Sequence, residues 1–147
     1  MRTCVVTDAN VFLSFLLFPD NQTAAVRVVK GAIDGDFGVV FPAGVAEELR
    51  RKVREKSYFR VRIAERSLEH LVGLMLEVAV DPWESASWPH QSRDPNDQYL
   101  LDAAAGNGVE FLITGDKVLL ETRRAPESAL IVTPAQFLAL RDLMLSE

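Results

Sequence analysis

Residues 3–8 read TCVVTD and residues 111–116 read FLITGD, so that in each case a short β-branched and apolar run stops at an aspartate. Continuous apolar runs of this length are typical of strands buried on both faces. Residues 37–41 and 130–132 have the same character, and residues 77–80 are predicted to add a short strand. Helix-like segments alternate with these runs. The sequence therefore predicts a three-layer α/β/α domain with a mainly parallel sheet of four or five strands.

Between the runs, apolar residues recur at the 3.6-residue spacing of helices. Predicted helices cover residues 11–17, 23–32, 45–53, 58–76, 95–106 and 134–145. Two of them have clear start signals. Asp94 and Pro95 fit an N-cap followed by proline at the first helical position. Thr133 and Gln136 have the spacing of a capping box.

Acidic residues stand where these predicted elements meet. Asp8 and Asp116 directly follow two strands, so in a parallel sheet both should project from the same edge. Glu47 and Glu48 come shortly after the second strand, and Asp97 lies in the first turn of a helix. Each acid by itself fits an ordinary turn residue or helix cap. Together, four segments can bring carboxylates to one rim.

Grouped carboxylates repel one another unless a cation or bound protons neutralise them. Hard oxygen ligands suit Mg²⁺ or Mn²⁺. Such an ion activates water and stabilises the charge of a phosphate transition state. The acidic rim therefore indicates hydrolysis of phosphodiester bonds.

Five stretches resemble the motifs of PIN-domain nucleases, in the family's order and spacing. They are DANVFLS (8–14), PAGVAEEL (42–49), DPNDQYLLDAA (94–104), LITGDKVLL (112–120) and TPAQFL (133–138). The resemblance spans nearly the whole chain. It is closest to the VapC-like toxins of bacterial and archaeal toxin–antitoxin pairs.

The resemblance implies one PIN-like domain over residues 1–147 that cuts RNA with Mg²⁺ or Mn²⁺ as the toxin of such a pair. The implied catalytic and metal-binding residues, expected close enough to share a cation, are Asp8, Glu48, Asp97 and Asp116. Glu48 is preferred to Glu47 because the family's glutamate directly precedes a leucine. Asn10, Asp94 and Thr114 would support the site.

The resemblance also implies two protein partners, a cognate antitoxin and a second copy of the chain. A homodimer would cover apolar helix surface that one packed face does not need. The residues expected there are Leu71, Leu74, Met75 and Leu76.

Charge is unevenly distributed along the chain. The net charge is −5, yet residues 50–66 hold eight of the 16 basic residues and two acidic ones, which gives +6. The remaining residues therefore carry −11. Beside an acidic site, this basic segment is either a track for the RNA backbone or a solvated helix face. Arg50, Arg51 and Arg54 are the candidate RNA contacts.

Several classes of protein are disfavoured. No apolar run reaches the roughly 18 residues of a membrane span, and no secretion signal is recognisable, so we expect a cytoplasmic protein without membrane contact. Cys4 is the single cysteine, which excludes an internal disulfide and a thiolate metal cage. His70 and His90 are isolated. Trp83 and Trp88 are expected to anchor a loop on the core rather than to stack on bases.

Two alternative functions remain. An aspartyl phosphatase would use Asp8 as its nucleophile, but such enzymes usually place a second aspartate where Asn10 stands. A PIN scaffold that binds RNA or protein without cutting is the other alternative. The intact set of acids argues against that scaffold.

Overall fold

The computed structural model describes residues 3–81, 83–106, 108–122 and 128–145. Within these ranges four strands form one sheet: β1 (Cys4–Thr7), β2 (Gly38–Val40), β3 (Phe111–Ile113) and β4 (Leu130–Val132). Their order is β2-β1-β3-β4, and every neighbouring pair is parallel. The parallel sheet predicted from the sequence is confirmed, with four strands in the described residues.

Helices make the connections that parallel strands require. They are α1 (Ala9–Leu17), α2 (Ala24–Ile33), α3 (Ala43–Glu55), α4 (Ser57–Arg60), α5 (Glu65–Val78), α6 (Gln98–Ala104), α7 (Lys117–Leu120) and α8 (Pro134–Leu145). A short 3₁₀ turn, Pro95–Asp97, leads into α6. Helix α6 packs against β1 and β3, and α8 packs against β3 and α2. The result is the expected three-layer α/β/α architecture.

The two inner strands lie in the centre of the hydrophobic core. Val6 of β1 pairs with Val40 on one side and Leu112 on the other, and neither Val6 nor Leu112 has exposed surface. The Phe137 ring of α8 packs edge-on against Phe37 and Phe111, with centroids 5.0 and 5.3 Å away. Burial on both faces explains why these strands are continuous apolar runs in the sequence.

Both predicted helix starts are confirmed. The Asp94 side chain accepts a hydrogen bond from the Asn96 amide at 3.0 Å, and Pro95 is the first residue of the turn. At α8, the Thr133 amide donates to Gln136 Oε1 at 2.9 Å, and the Gln136 amide donates to Thr133 Oγ1 at 3.1 Å. This reciprocal pair is the capping box that the sequence spacing predicted.

The continuous helix predicted over residues 58–76 is wrong. Helix α4 ends at Arg60 and α5 begins at Glu65. The intervening turn buries Ile63, which is 4% exposed, and leaves Val61 72% exposed. The apolar residues at helical spacing therefore lie on both sides of a turn in the backbone. In α5, the residues of this stripe that face the core begin at Leu68.

The short strand predicted at residues 77–80 is also wrong. Helix α5 continues to Val78, and a backbone hydrogen bond from the Val80 amide to the Val39 carbonyl at 2.8 Å links this segment to the sheet. The exposed apolar surface of α5 is also smaller than the sequence predicted for a dimer contact. Leu71 and Met75 are buried in the core, whereas Leu76 is exposed.

The loop before the 3₁₀ turn is anchored as expected. Trp88 is buried, and its amide donates to the Asp102 carboxylate at 3.0 Å. Trp83 packs against the core from a partly buried position. A Cβ on Gly106 would lie 2.7 Å from Trp83 Nε1, so this glycine allows the loop to approach α6.

Within the described ranges, none of the helices has the length and hydrophobicity to cross a bilayer.

Candidate active site

Asp8 lies where β1 ends and α1 begins. Its amide donates to the Ile113 carbonyl at 2.9 Å, which ties this turn to the end of β3. One side-chain oxygen caps α1 through the Asn10 amide at 3.4 Å, and the other accepts from the Thr114 hydroxyl at 2.7 Å. The carboxylate is thus held in a fixed position while it is almost completely buried, at 3% exposure.

Asp116 lies at the same edge of the sheet, after β3. The Thr114 hydroxyl oxygen accepts from the Asp116 amide at 3.0 Å, and Asp116 Oδ1 caps α7 through the Val118 amide at 2.9 Å. Thr114 therefore links the ends of β1 and β3 through one fully buried hydroxyl. The parallel sheet places these two aspartates near each other, as the sequence predicted.

Asp97 has an oxygen that is buried and unpartnered. The residue is 9% exposed, and Oδ2 accepts no hydrogen bond within the described structure. Burial raises the pKa of Asp97 to about 6, and four neighbouring carboxylates add to the effect: Asp116, Asp94, Asp8 and Glu48. All four predicted acids, together with Asp94, therefore act electrostatically on one site.

Glu48 faces the site from α3, whereas Glu47 is exposed. Both Glu48 oxygens are engaged. Oε2 accepts from the Tyr99 hydroxyl at 2.8 Å, and Oε1 lies 3.2 Å from the Lys52 ammonium. Lys52 also donates to Asn10 Oδ1 at 2.8 Å.

Opposing effects act on Asp8. Burial raises its pKa, the hydrogen bond from Thr114 lowers it, the Glu48 charge raises it and the Lys52 charge lowers it, with a net increase. Tyr99 stays protonated at ordinary pH because burial and its bond to Glu48 raise the pKa of its hydroxyl. Tyr99 therefore acts as a hydrogen-bond donor here.

The carboxylate oxygens of this site are the type of ligand that a hard divalent ion prefers, and Oδ2 of Asp97 is available to bind such an ion. The expected ligand spacing is not present, however. Among the residues that the structure describes, no group of three or more Asp, Glu, His or Cys side chains is arranged to hold a metal ion. Tyr99 and Lys52 hold the two oxygens of Glu48, so this carboxylate already has partners within the protein.

Comparison with known families agrees with this geometry. A family model described as PIN domain matches residues 4–118. The chain belongs to the PIN-domain family. The matched range includes Asp8, Glu48, Asp97 and Asp116, and PIN domains are generally nucleases that use divalent metal ions. No curated protein and no solved structure matches the chain.

Two residues of this PIN site were missed by sequence reasoning. Lys52 stands four residues after Glu48 on α3, and that spacing is a recognised signal for a helical ion pair. Tyr99 is 51 residues from its partner Glu48, and no local pattern indicates a bond over that separation. A Cβ at Gly44 would lie 2.7 Å from the Tyr99 ring, so a glycine is needed for the close approach of α3 to Tyr99.

A cavity of about 610 Å³ opens beside the acids of the PIN site. It is lined by Gly44, Glu47, Glu48, Arg50, Arg51, Arg54, Asn96 and Tyr99. A second cavity of about 630 Å³ shares Arg50 and Arg54 with the first and extends to Arg60. The predicted basic segment therefore lines a surface that is continuous with the acidic site.

The three candidate RNA-binding arginines differ in their contacts. Arg50 forms two hydrogen bonds with Glu69, at 2.7 and 2.9 Å. Arg51 and Arg54 make only long contacts with carboxylates, of 3.7 to 4.0 Å, and their side chains are 48% and 69% exposed. Arg51 and Arg54 are therefore the more accessible of the three to an anionic ligand.

Proposed function

We propose that this PIN-domain chain is a metal-dependent endoribonuclease that hydrolyses RNA phosphodiester bonds. Its catalytic acids, which bind Mg²⁺ or Mn²⁺, are Asp8, Glu48, Asp97 and Asp116. The observation that supports this most is the buried, unpartnered oxygen of Asp97 among neighbouring carboxylates. A buried polar atom without a partner is costly, and a hard cation would remove both that cost and the repulsion.

The bound ion would activate water and neutralise charge on the phosphate. The chain's own residues would hold the site in position. Thr114 orients Asp8 and Asp116 through one hydroxyl. Asp97 carries a proton below about pH 6, so the site reaches its full negative charge only above that pH. Metal binding, and with it cleavage, is therefore expected to strengthen as the pH rises through 6.

The cavity beside the acids suits an RNA strand. Arg51 and Arg54 are exposed on its wall and would bind backbone phosphates. Arg50 would contribute less because Glu69 already holds its guanidinium. RNA bound along this wall would pass directly in front of the Glu48 and Tyr99 side of the site.

The proposal extends to a biological role as the toxin of a toxin–antitoxin pair, acting in the cytoplasm. It rests on the resemblance to VapC-like proteins, which spans nearly the whole chain, and residues 1–147 are taken as one domain. A cognate antitoxin and a homodimer would be its protein partners. Exposed apolar residues of α8, among them Leu143 and Leu145, offer surface for such contacts. Co-purification with the product of a neighbouring small open reading frame would support the role.

The deciding experiment is incubation of the purified chain with mixed RNA in Mg²⁺ or Mn²⁺, with EDTA as the metal-free control. Asp8→Asn and Asp116→Asn should each reduce metal-dependent cleavage by about 100-fold or more, which corresponds to about 3 kcal/mol of transition-state stabilisation. Asparagine retains the helix-capping oxygen of both residues, so folding should survive. Asp20→Asn, at an exposed position, is the matched control.

The outcomes separate the alternatives. An Asp8→Asn protein that cleaves RNA at the wild-type rate would refute the proposed chemistry. Binding of RNA without cleavage in any metal would favour the scaffold. A phosphate covalently trapped on Asp8 would favour the phosphatase.

A further inference from the structure

Lys52 differs from the other cations of α3 in where its side chain goes. Its side chain is 17% exposed, whereas those of Arg51 and Arg54 are 48% and 69% exposed. The Lys52 ammonium lies 2.8 Å from Asn10 Oδ1 and 3.2 Å from Glu48 Oε1. An ammonium is withdrawn from water in this way only where it is paired with oxygen atoms. Lys52 is thus directed into the acidic site and away from the arginine surface.

The partners of Lys52 are hard oxygen atoms, one from an amide and one from a carboxylate, and a divalent ion would use the same kind of donor. Asp97 provides a different environment. Its Oδ2 has no partner among the residues that the structure describes, and Asp116 and Asp94 are its strongest charged neighbours. The site therefore has two sides. The side of Glu48 and Asn10 already holds the positive charge of Lys52, and within the described ranges the side of Asp97 holds no such charge.

We infer that Lys52 supplies the second positive charge of this site, so that the chain binds a single divalent ion, on the side of Asp97. Lys52 is accordingly a positioning residue that holds Glu48 and Asn10 through its ammonium. The inference rests on the metal site of the proposed function and narrows it. It removes Glu48 from the metal ligands of the proposed function, because Tyr99 and Lys52 already hold both of its oxygens, and it leaves Asp8, Asp97 and Asp116 to bind the ion.

The test is a count of bound Mn²⁺ per chain without RNA, from the electron paramagnetic resonance signal of free Mn²⁺ during titration. The wild-type chain should bind a single Mn²⁺. Lys52→Met keeps most of the length of the side chain and removes its charge, so a second Mn²⁺ should bind at the freed oxygens of Glu48 and Asn10. Lys52→Arg keeps the charge and should bind a single ion. Lys56→Met, at an exposed position at the end of α3, should also leave the count unchanged.

A wild-type chain that binds two Mn²⁺ ions would overturn the inference, whether or not any variant folds. So would Lys52→Met with the wild-type count. The double variant Lys52→Met/Glu48→Gln removes one positive and one negative charge together. It should fold and return to a single ion, and a second ion bound to it would contradict the assignment of Glu48.

The readout also separates this inference from the proposed function. A chain that binds a single Mn²⁺, gains a second on Lys52→Met and yet leaves RNA intact would refute the ribonuclease and support the role of Lys52. RNA cleavage by a wild-type chain that binds two Mn²⁺ ions would support the ribonuclease and refute the role of Lys52. A merely structural Lys52 would change the unfolding midpoint in Lys52→Met without changing the ion count.

Discussion

Replacing Asp97 with asparagine is expected to stabilise the metal-free protein above pH 6. Asp97 is 9% exposed, and its Oδ2 has no hydrogen-bond partner in the part of the chain that the structure describes. Burial and the neighbouring carboxylates raise its pKa from 3.8 to about 6. One pKa unit corresponds to about 1.4 kcal/mol, so charging this carboxylate costs the folded state about 3 kcal/mol. Asparagine has nearly the same shape and never bears the charge.

The pH dependence follows from the direction of the change in pKa. Because the folded-state pKa lies above the unfolded value, the cost is absent well below pH 3.8, grows between the two values and is complete above about pH 6. A buried asparagine amide that is not fully hydrogen-bonded would offset about 1 kcal/mol. The net gain from Asp97→Asn should therefore be about 2 kcal/mol at pH 8 and should vanish near pH 4.

Urea unfolding in EDTA at pH 8 and pH 4 measures this difference. Asp142→Asn, on the exposed surface of α8, is the matched control and should change stability by no more than about 0.5 kcal/mol. The reasoning would be refuted by an Asp97→Asn protein no more stable than wild type at pH 8, or by the same gain at both pH values. Added Mg²⁺ should then stabilise the wild-type protein more than the variant, because only the wild type keeps the charged ligand.

Two further variants test the hydrogen bonding that supports the site and the surface proposed to bind RNA. Thr114→Val should lower the free energy of unfolding by about 1–3 kcal/mol at pH 7, because the buried Asp8 carboxylate loses its 2.7 Å donor. Thr122→Val removes only a bond to a backbone carbonyl, and an equal loss there in urea unfolding would contradict the argument. Arg51→Glu/Arg54→Glu should weaken RNA binding and reduce the slope of log affinity against log salt by about 2. An unchanged slope in fluorescence anisotropy with labelled RNA would exclude both arginines from the interface.

Local sequence was sufficient for the sheet and for the edge where the acids lie. Runs such as residues 3–7 indicate a buried strand because every residue is apolar or β-branched, and the aspartate that follows, Asp8, marks the carboxyl end. Since the carboxyl ends of parallel strands meet at one edge of the sheet, the sequence alone assigns Asp8 and Asp116 to the same rim. The capping box at Thr133 was equally local. Such features depend only on neighbours within a few residues.

The break between α4 and α5, by contrast, does not depend on neighbouring residues alone. Val61 and Leu68 fit one helical stripe by spacing, yet Val61 is 72% exposed and Leu68 is buried. The chain turns there so that Ile63 can enter the core. Which apolar residue enters the core depends on the space that the other helices and strands leave. The spacing of apolar residues along the sequence does not show that space.

The properties that matter for chemistry came from the tertiary structure. The free oxygen of Asp97 and its raised pKa arise from burial and from carboxylates on other segments. The bonds of Lys52 to Asn10 and of Tyr99 to Glu48 join residues 42 and 51 positions apart. Sequence determined which acids are present and at which edge they lie. Distances and exposure decided which acid lacks a partner and which is held by a lysine, because desolvation and Coulomb energies depend on position in space.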